Sequence, residues 1–269
     1  MVACHLVLPS GLSLLAALKG ALAHCGAQSA VLTLTGGSLY PFAHVMPALS
    51  KTAEHAVYFS RRFDAGAPVQ FELANVTCGR QPDGQPWLHC HAVWTDAQDS
   101  RHCGHLLPDA VMLAAPVLAS AWLLDGATFQ VDADDETRFS LFKPVATPPA
   151  LPQAAAVAGR PALAVRLGPN EDVCTALESI CQAHGITRAS VRGGVGSTVG
   201  AVFDDGRRVE PFVTETLVRE GRVVTGANGT LRTEIDVSMV DHLGGQASGR
   251  LARGENPVLV TFELVLEPG

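Results

Sequence analysis

"SGLSLLAALKGALAHCGAQSAVLTLTGGS" occupies residues 10–38, and "PNEDVCTALESICQAHGITRASVRGGVGS" occupies residues 169–197. Set against each other at a constant offset of 159 (169 − 10), the two stretches carry one pattern. Each opens on a polar or proline start. Each continues as an amphipathic helix, with Leu14, Leu18 and Leu22 on one face in the first and Val173, Leu177 and Cys181 in the second. Each helix stops at a glycine, Gly26 or Gly185, the residue favoured just past a helix end because it adopts positive φ freely. Each then runs through a short β-branched strand into a glycine-rich turn, "TGGS" or "GVGS". The first stretch therefore reads as the opening helix of a folded domain and not as a signal peptide. No Lys or Arg precedes its apolar run, Lys19 interrupts it, and its counterpart lies in mid-chain.

The later parts match at an offset of 145: Asp96 with Asp241, Gly104 with Gly249, Leu106 with Leu251. The change from 159 to 145 places fourteen extra residues in the first copy, and "PFAHVMPALSKTAEHAVYFSRR" is the expected location. Strands are expected over 70–76, 87–94 and 111–124, with counterparts over 213–218, 230–239 and 257–266. The fold class is α+β, each copy a mostly antiparallel sheet with one main helix. Domain 1 spans residues 1–142 and domain 2 residues 161–269. The Pro- and Ala-rich segment 143–160 reads as a semi-extended linker.

Hydrophobic residues make up 47% of the 269-residue chain and charged residues 17%, a composition that packs a core and argues against disorder. The net charge is -7, and no basic run provides a surface for a polyanion. Seven cysteines with no Cys-x-x-Cys read as reduced residues, Cys4, Cys25, Cys78, Cys174 and Cys181 among them, in a cytoplasmic protein. No apolar run is long enough to span a bilayer.

"PWLHCHAVWTDAQDSRHCGHLLP", residues 86–108, holds the one cluster with chemistry in it. Side chains of a strand alternate, so His89 and His91 point to one face, roughly 7 Å apart. The polar turn "TDAQDSR" closes a hairpin; centred near Gln98, it sets His105 opposite His91. Cross-strand partners have Cβ atoms about 5 Å apart. Three imidazoles so placed can hold one divalent cation, zinc by default, with Fe²⁺, Ni²⁺ or Mn²⁺ as alternatives. Cys90 points to the opposite face, Cys103 is a weak fourth candidate, and His102 points away or lies in the turn. At the same offset domain 2 carries Glu234, Asp236 and Arg250 in place of the three histidines. An Asp236–Arg250 salt bridge is expected where the ion would sit. The two glycine turns read as backbone positions needing positive φ rather than as anion cradles. Glu72, Glu215 and Glu263 lie in apolar strands and read as structural acids that need partners. His24, His44, His55, His184 and His242 join no constellation.

Several of these stretches resemble the PPC domain, also called the domain of unknown function 296 or the PD1-like family, named for a suspected role in DNA binding. The second copy carries "VRLGPNEDVCTALESICQAHGI", "GGVGS" and "GRLARGENPVLVTFELVL"; the first carries "LHCHAVWTD" and "HCGHLLP". The resemblance implies compact domains that form homotrimers, accompanied in plants by AT-hooks. No AT-hook is present: "AGRPA" at 158–162 lacks the flanking basic residues. The first copy also has Gly11-Leu12-Ser13 where the second has Asn170-Glu171-Asp172. Three functions remain open at this stage. They are a metal-binding protein acting on or binding a small metabolite, a DNA-binding or regulatory protein, and a non-catalytic assembly scaffold. Whether the chain is an enzyme is left open, no catalytic residue is assigned, and no partner is implied beyond self-association, a small molecule or DNA.

Overall fold

Ser13 opens helix α1 (Leu14–His24) by accepting the Ala16 N–H at 3.1 Å, and Gly26, at φ 70°, lies just beyond its end. Asp172 opens helix α2 (Val173–Ala183) in the same way, accepting the Thr175 N–H at 2.9 Å. The computed structural model describes residues 1–151 and 159–269. Among the described residues each half of the chain holds one α-helix. Leu14, Leu18 and Leu22 are buried in the first, and Val173, Leu177 and Cys181 in the second.

The N-terminal strands are β1 (Val2–Leu8), β2 (Ala30–Thr35), β3 (Ser38–Leu39), β4 (Ala43–Val45), β5 (Pro47–Leu49), β6 (Val57–Phe59), β7 (Phe63–Asp64), β8 (Val69–Arg80), β9 (Pro86–Thr95), β10 (Arg101–Leu106), β11 (Val117–Leu123), β12 (Ala127–Ala133) and β13 (Ser140–Ala146). Eleven of them form one sheet, with the order β1-β11-β2-β8-β9-β10-β4-β7 along its spine. Strands β5 and β6 stand apart as a two-stranded sheet within the segment expected to hold the extra residues of the first copy. The C-terminal strands are β14 (Leu163–Leu167), β15 (Ala189–Val202), β16 (Arg208–Thr225), β17 (Leu231–Asp241), β18 (Gln246–Arg250) and β19 (Val258–Pro268). They form a six-stranded sheet in the order β14-β19-β15-β16-β17-β18. Pairing is antiparallel apart from one parallel contact between β12 and β8.

Two expectations need correction. Residues 143–146 belong to β13, whose register with β12 runs out to Ala127↔Ala146, so the segment 143–160 is not all linker. The strand tolerates Pro144 because β13 pairs with β12 alone and is an edge. Further along, the Ala150 and Leu151 N–H groups both donate to Asp125; the part of the expected linker at 152–158 lies outside the described residues. The second glycine stretch is also not a turn. Gly193 and Gly194 have φ of 64° and 115°, but they sit inside the continuous strand β15 as a bulge that shifts its register against β19.

That bulge brings the two halves together. A Cβ on Gly193 would lie 2.8 Å from the Val31 Cβ of β2, so only glycine permits this approach. Alternation along β9 turns Leu88, Cys90, Ala92 and Trp94 into the core that includes α1. The opposite face turns toward the C-terminal half: Val93 and Cys103 pack with Leu217 and Val240, and Val31 packs with Val265. Asn75 on β8 is buried at this contact. Its amide donates to the carbonyls of Gly194 at 3.0 Å and Val218 at 2.6 Å, and its oxygen accepts from Thr33 at 2.9 Å. At the rim, Glu72 accepts from Arg101 of its own half and from Arg219 of the other, at 2.6 and 2.8 Å.

Replacing Asn75 by alanine strips two buried carbonyls of their donor. Urea denaturation of N75A is expected to show a loss of about 2–4 kcal/mol; a loss below about 0.5 kcal/mol would contradict the role given to it. The Glu72 carboxyl is held down at about 2, first by the Arg101 guanidinium and then by that of Arg219, against the opposing effect of partial burial. A depressed carboxyl stabilises the fold above its unfolded value near 4.5 and loses that contribution as pH falls toward 2. Wild type should therefore exceed E72Q by up to about 1 kcal/mol at neutral pH, with the gap closing between pH 4.5 and 2.

Candidate metal centre

Strand alternation and hairpin register together deliver three imidazoles to one place. The β9–β10 register opposes His91 and His105 directly, and His89 lies two residues along on the same face. His89 Nε2 lies 3.1 Å from His91 Nε2, which in turn lies 3.2 Å from His105 Nδ1. One ligand atom from each of the three falls within 4.8 Å of the others. His91 is buried, and His89 and His105 are partly so.

Partners from the other half of the chain fix which nitrogens carry protons. His91 Nδ1 faces the Thr216 carbonyl at 2.9 Å. A carbonyl only accepts, so Nδ1–H donates and the lone pair of a neutral ring sits on Nε2. His89 Nδ1 donates to Glu263 at 2.7 Å, and Glu263 also accepts from the Thr261 hydroxyl at 3.2 Å. In the neutral, ligating form of His89 the lone pair then also sits on Nε2, facing that of His91. Two lone pairs 3.1 Å apart repel unless something positive lies between them. Zinc–nitrogen bonds of about 2.0–2.1 Å in a tetrahedron put their nitrogens about 3.3 Å apart. The donor set present thus fits a metal ion, with the outer carbonyl and carboxylate in the supporting roles that ligating imidazoles require.

Burial and the neighbouring rings push His91 well below the usual histidine range, and burial followed by the proximity of His89 pushes His105 down to about 3. Both rings are therefore neutral at ordinary pH, the form that ligates. Glu215 approaches from β16, one oxygen 3.9 Å from His91 Nε2 and the other 3.9 Å from His105 Nδ1. Its Oε2 is buried with no hydrogen-bond partner. Burial raises this carboxyl well above the ordinary range, against a smaller opposing pull from the His105 backbone.

The remaining candidates fall elsewhere. Cys103, the fourth candidate, packs with Val93, Leu217 and Val240 and does not join the histidines, because this apolar contact between the halves takes up its side chain. Cys90 lies in the core on the helix side. His102 stacks on Trp94 and bonds Asp96 at 2.7 Å. All seven cysteines are free thiols. His44 sits between Phe63 and Trp94, and His55 against Phe139. Sequence reasoning missed the parts played by Glu215 and Glu263. The available signal was an acid inside an apolar strand, "FVTETLV" and "VTFELVL", which demands a buried partner without naming it.

In the C-terminal half, β17 and β18 pair Asp236 with Arg250, joined by a salt bridge of 2.9 Å, while Glu234 pairs with Arg222. These side chains are much more open to solvent than the histidines: Arg250 is 40% and Asp236 33% exposed.

Neither a protein-family model nor a curated protein matches the sequence. Solved structures do resemble it. A plant- and prokaryote-conserved (PPC) protein from Pyrococcus horikoshii is 14% identical with a TM-score of 0.42, over 54% of this chain and 93% of that one. A metal-containing protein from Archaeoglobus fulgidus is 16% identical with a TM-score of 0.42, over 53% of this chain and 95% of that one. A suspected DNA-binding protein from Bacteroides thetaiotaomicron is 11% identical with a TM-score of 0.39, over 52% and 91%. These likenesses concern fold alone.

Proposed function

We propose that this chain is a tandem PPC-type protein, its first copy running to the end of β13 at Ala146 and its second spanning residues 161–269, whose first copy binds one divalent metal ion through His89, His91 and His105. Zinc is the ion favoured by three imidazole ligands, with Fe²⁺, Ni²⁺ and Mn²⁺ behind it. The observation that carries the reading is the convergence of imidazole lone pairs whose opposite nitrogens are tied to Thr216 and Glu263. A three-histidine set leaves coordination positions open, and a metal there supplies the acidification of water or the polarisation of a carbonyl. Glu215 stands beside those positions as a group able to hold a proton. The second copy carries an ion pair at the matching positions and serves as the wall of the first copy's site. A net charge of -7 favours small-molecule chemistry over DNA binding. The free thiols suit the cytoplasm. Among the described residues no helix is long and apolar enough to cross a membrane.

The reading extends to assembly. The two copies meet through unlike faces, histidines on one side and Glu215 and Glu263 on the other. The matching free faces remain open: Val7 and Leu118 are 64% and 58% exposed in the first copy, and the Asp236–Arg250 surface is open in the second. Head-to-tail contacts of this kind close into rings, a trimer being the favoured one. Sedimentation at several chain masses supports this, and a lone monomer contradicts it.

Elemental analysis after zinc loading and dialysis should find about one ion per chain. H91A should fall to background. E263Q should keep the ion with affinity weakened by about 10–100-fold, the usual cost of losing an outer partner of a ligating histidine. Nearly two ions per chain would contradict the loss of the site in the second copy, and none would remove the site altogether.

A further inference from the structure

The chamber that opens beside the three histidines defines what can meet the ion. Its walls come from both halves: Val57 and Phe59 of β6, Phe139 just before β13 and Leu141 within it, and Val213 and Leu259 from the C-terminal half. Phe59 also packs on the His105 ring at 5.0 Å, so the β5–β6 hairpin acts as a side wall of the metal centre. That hairpin lies in the segment present only in the first copy, and the described strands of the second copy include no counterpart to it. The free space is about 80 Å³, against the roughly 10–15 Å³ that a single water requires. It holds on the order of half a dozen non-hydrogen atoms.

Charge narrows the occupant further. No Lys or Arg is among the described residues that line the chamber. The polar groups other than histidine are largely engaged: Thr214 bonds Thr198, and Thr261 bonds Glu263. Glu215, 6% exposed, offers an Oε2 without a partner beside the histidines, and the hydroxyls of Tyr58 and of Ser197, which accepts from the Val260 N–H, also belong to the lining. Beside the histidines Glu215 serves one polar end of a ligand, and Phe139, Leu141 and Leu259 present hydrocarbon to its body. A phosphate would find no cation but the metal.

We infer that the chamber takes a small molecule with one oxygen-bearing end directed at the metal and Glu215 and a short apolar body against Phe139, Leu141 and Leu259, and that it rejects phosphorylated compounds. This rests on the metal reading above. The test uses the full chain loaded with Co²⁺, whose visible absorption reports on the ligands of the ion. Acetohydroxamate, isobutyrohydroxamate and inorganic phosphate are titrated in turn. Both hydroxamates should shift the cobalt bands, the branched one about ten-fold more tightly because it buries two further carbons. Phosphate should leave the bands unchanged. F139A should keep the unliganded cobalt spectrum and reduce the preference for the branched probe to about two-fold. With the cobalt spectrum intact, a response to phosphate, or equal affinity for the two hydroxamates, overturns this inference and leaves the metal reading standing. Absence of a cobalt spectrum overturns the metal reading and this inference with it.

Discussion

One hydrogen bond orders the site: the Thr216 carbonyl, on a strand of the C-terminal half, accepts the Nδ1 proton of His91 on a strand of the N-terminal half. That single acceptor decides the tautomer of the most buried ring and turns its lone pair toward His89 and His105. The same face-to-face contact lets Glu263 do the equivalent for His89 and brings Glu215 within reach of two rings. Nothing in the first half could replace these groups, since its own helix and core lie on the other side of the sheet. Burial at this contact keeps His91 and His105 neutral. The contact that removes water from the rings is also the one that orients them.

The contact itself depends on modest devices. Paired glycines give β15 a bulge, Gly193 lets that bulge touch Val31, and Asn75 ties the resulting carbonyls across the seam. A buried amide with every partner in place costs little, whereas the same carbonyls without it would resist burial. The two halves differ most where they would otherwise be equivalent. On β17 and β18 the positions matching the histidines carry a carboxylate pair and a guanidinium, and they face outward. An exposed ion pair is tolerated on an open face; three imidazoles around a shared point need the shelter that only the first half receives.

Much of this was readable from sequence for a definite reason. Helix caps, the glycines after both helices and the alternation of His89 with Cys90 are local signals, acting over one to four residues. The opposition of His91 and His105 follows from a turn of known centre. What escaped was set by distant contacts. Glu263 meets His89 across 174 positions, and no periodicity reports such a meeting. The Gly193–Gly194 bulge looks like a turn because glycines in either role need positive φ. The strand at 140–146 hid in a Pro- and Ala-rich run because an edge strand tolerates proline.

The most direct test is anomalous diffraction from crystals of the zinc-loaded protein, measured on both sides of the zinc absorption edge. The account predicts one peak per chain, about 2.0–2.1 Å from His89 Nε2, His91 Nε2 and His105 Nδ1, with Glu263 still bonded to the far side of His89. A zinc peak elsewhere, or the three rings turned apart around solvent with no peak between them, would contradict it.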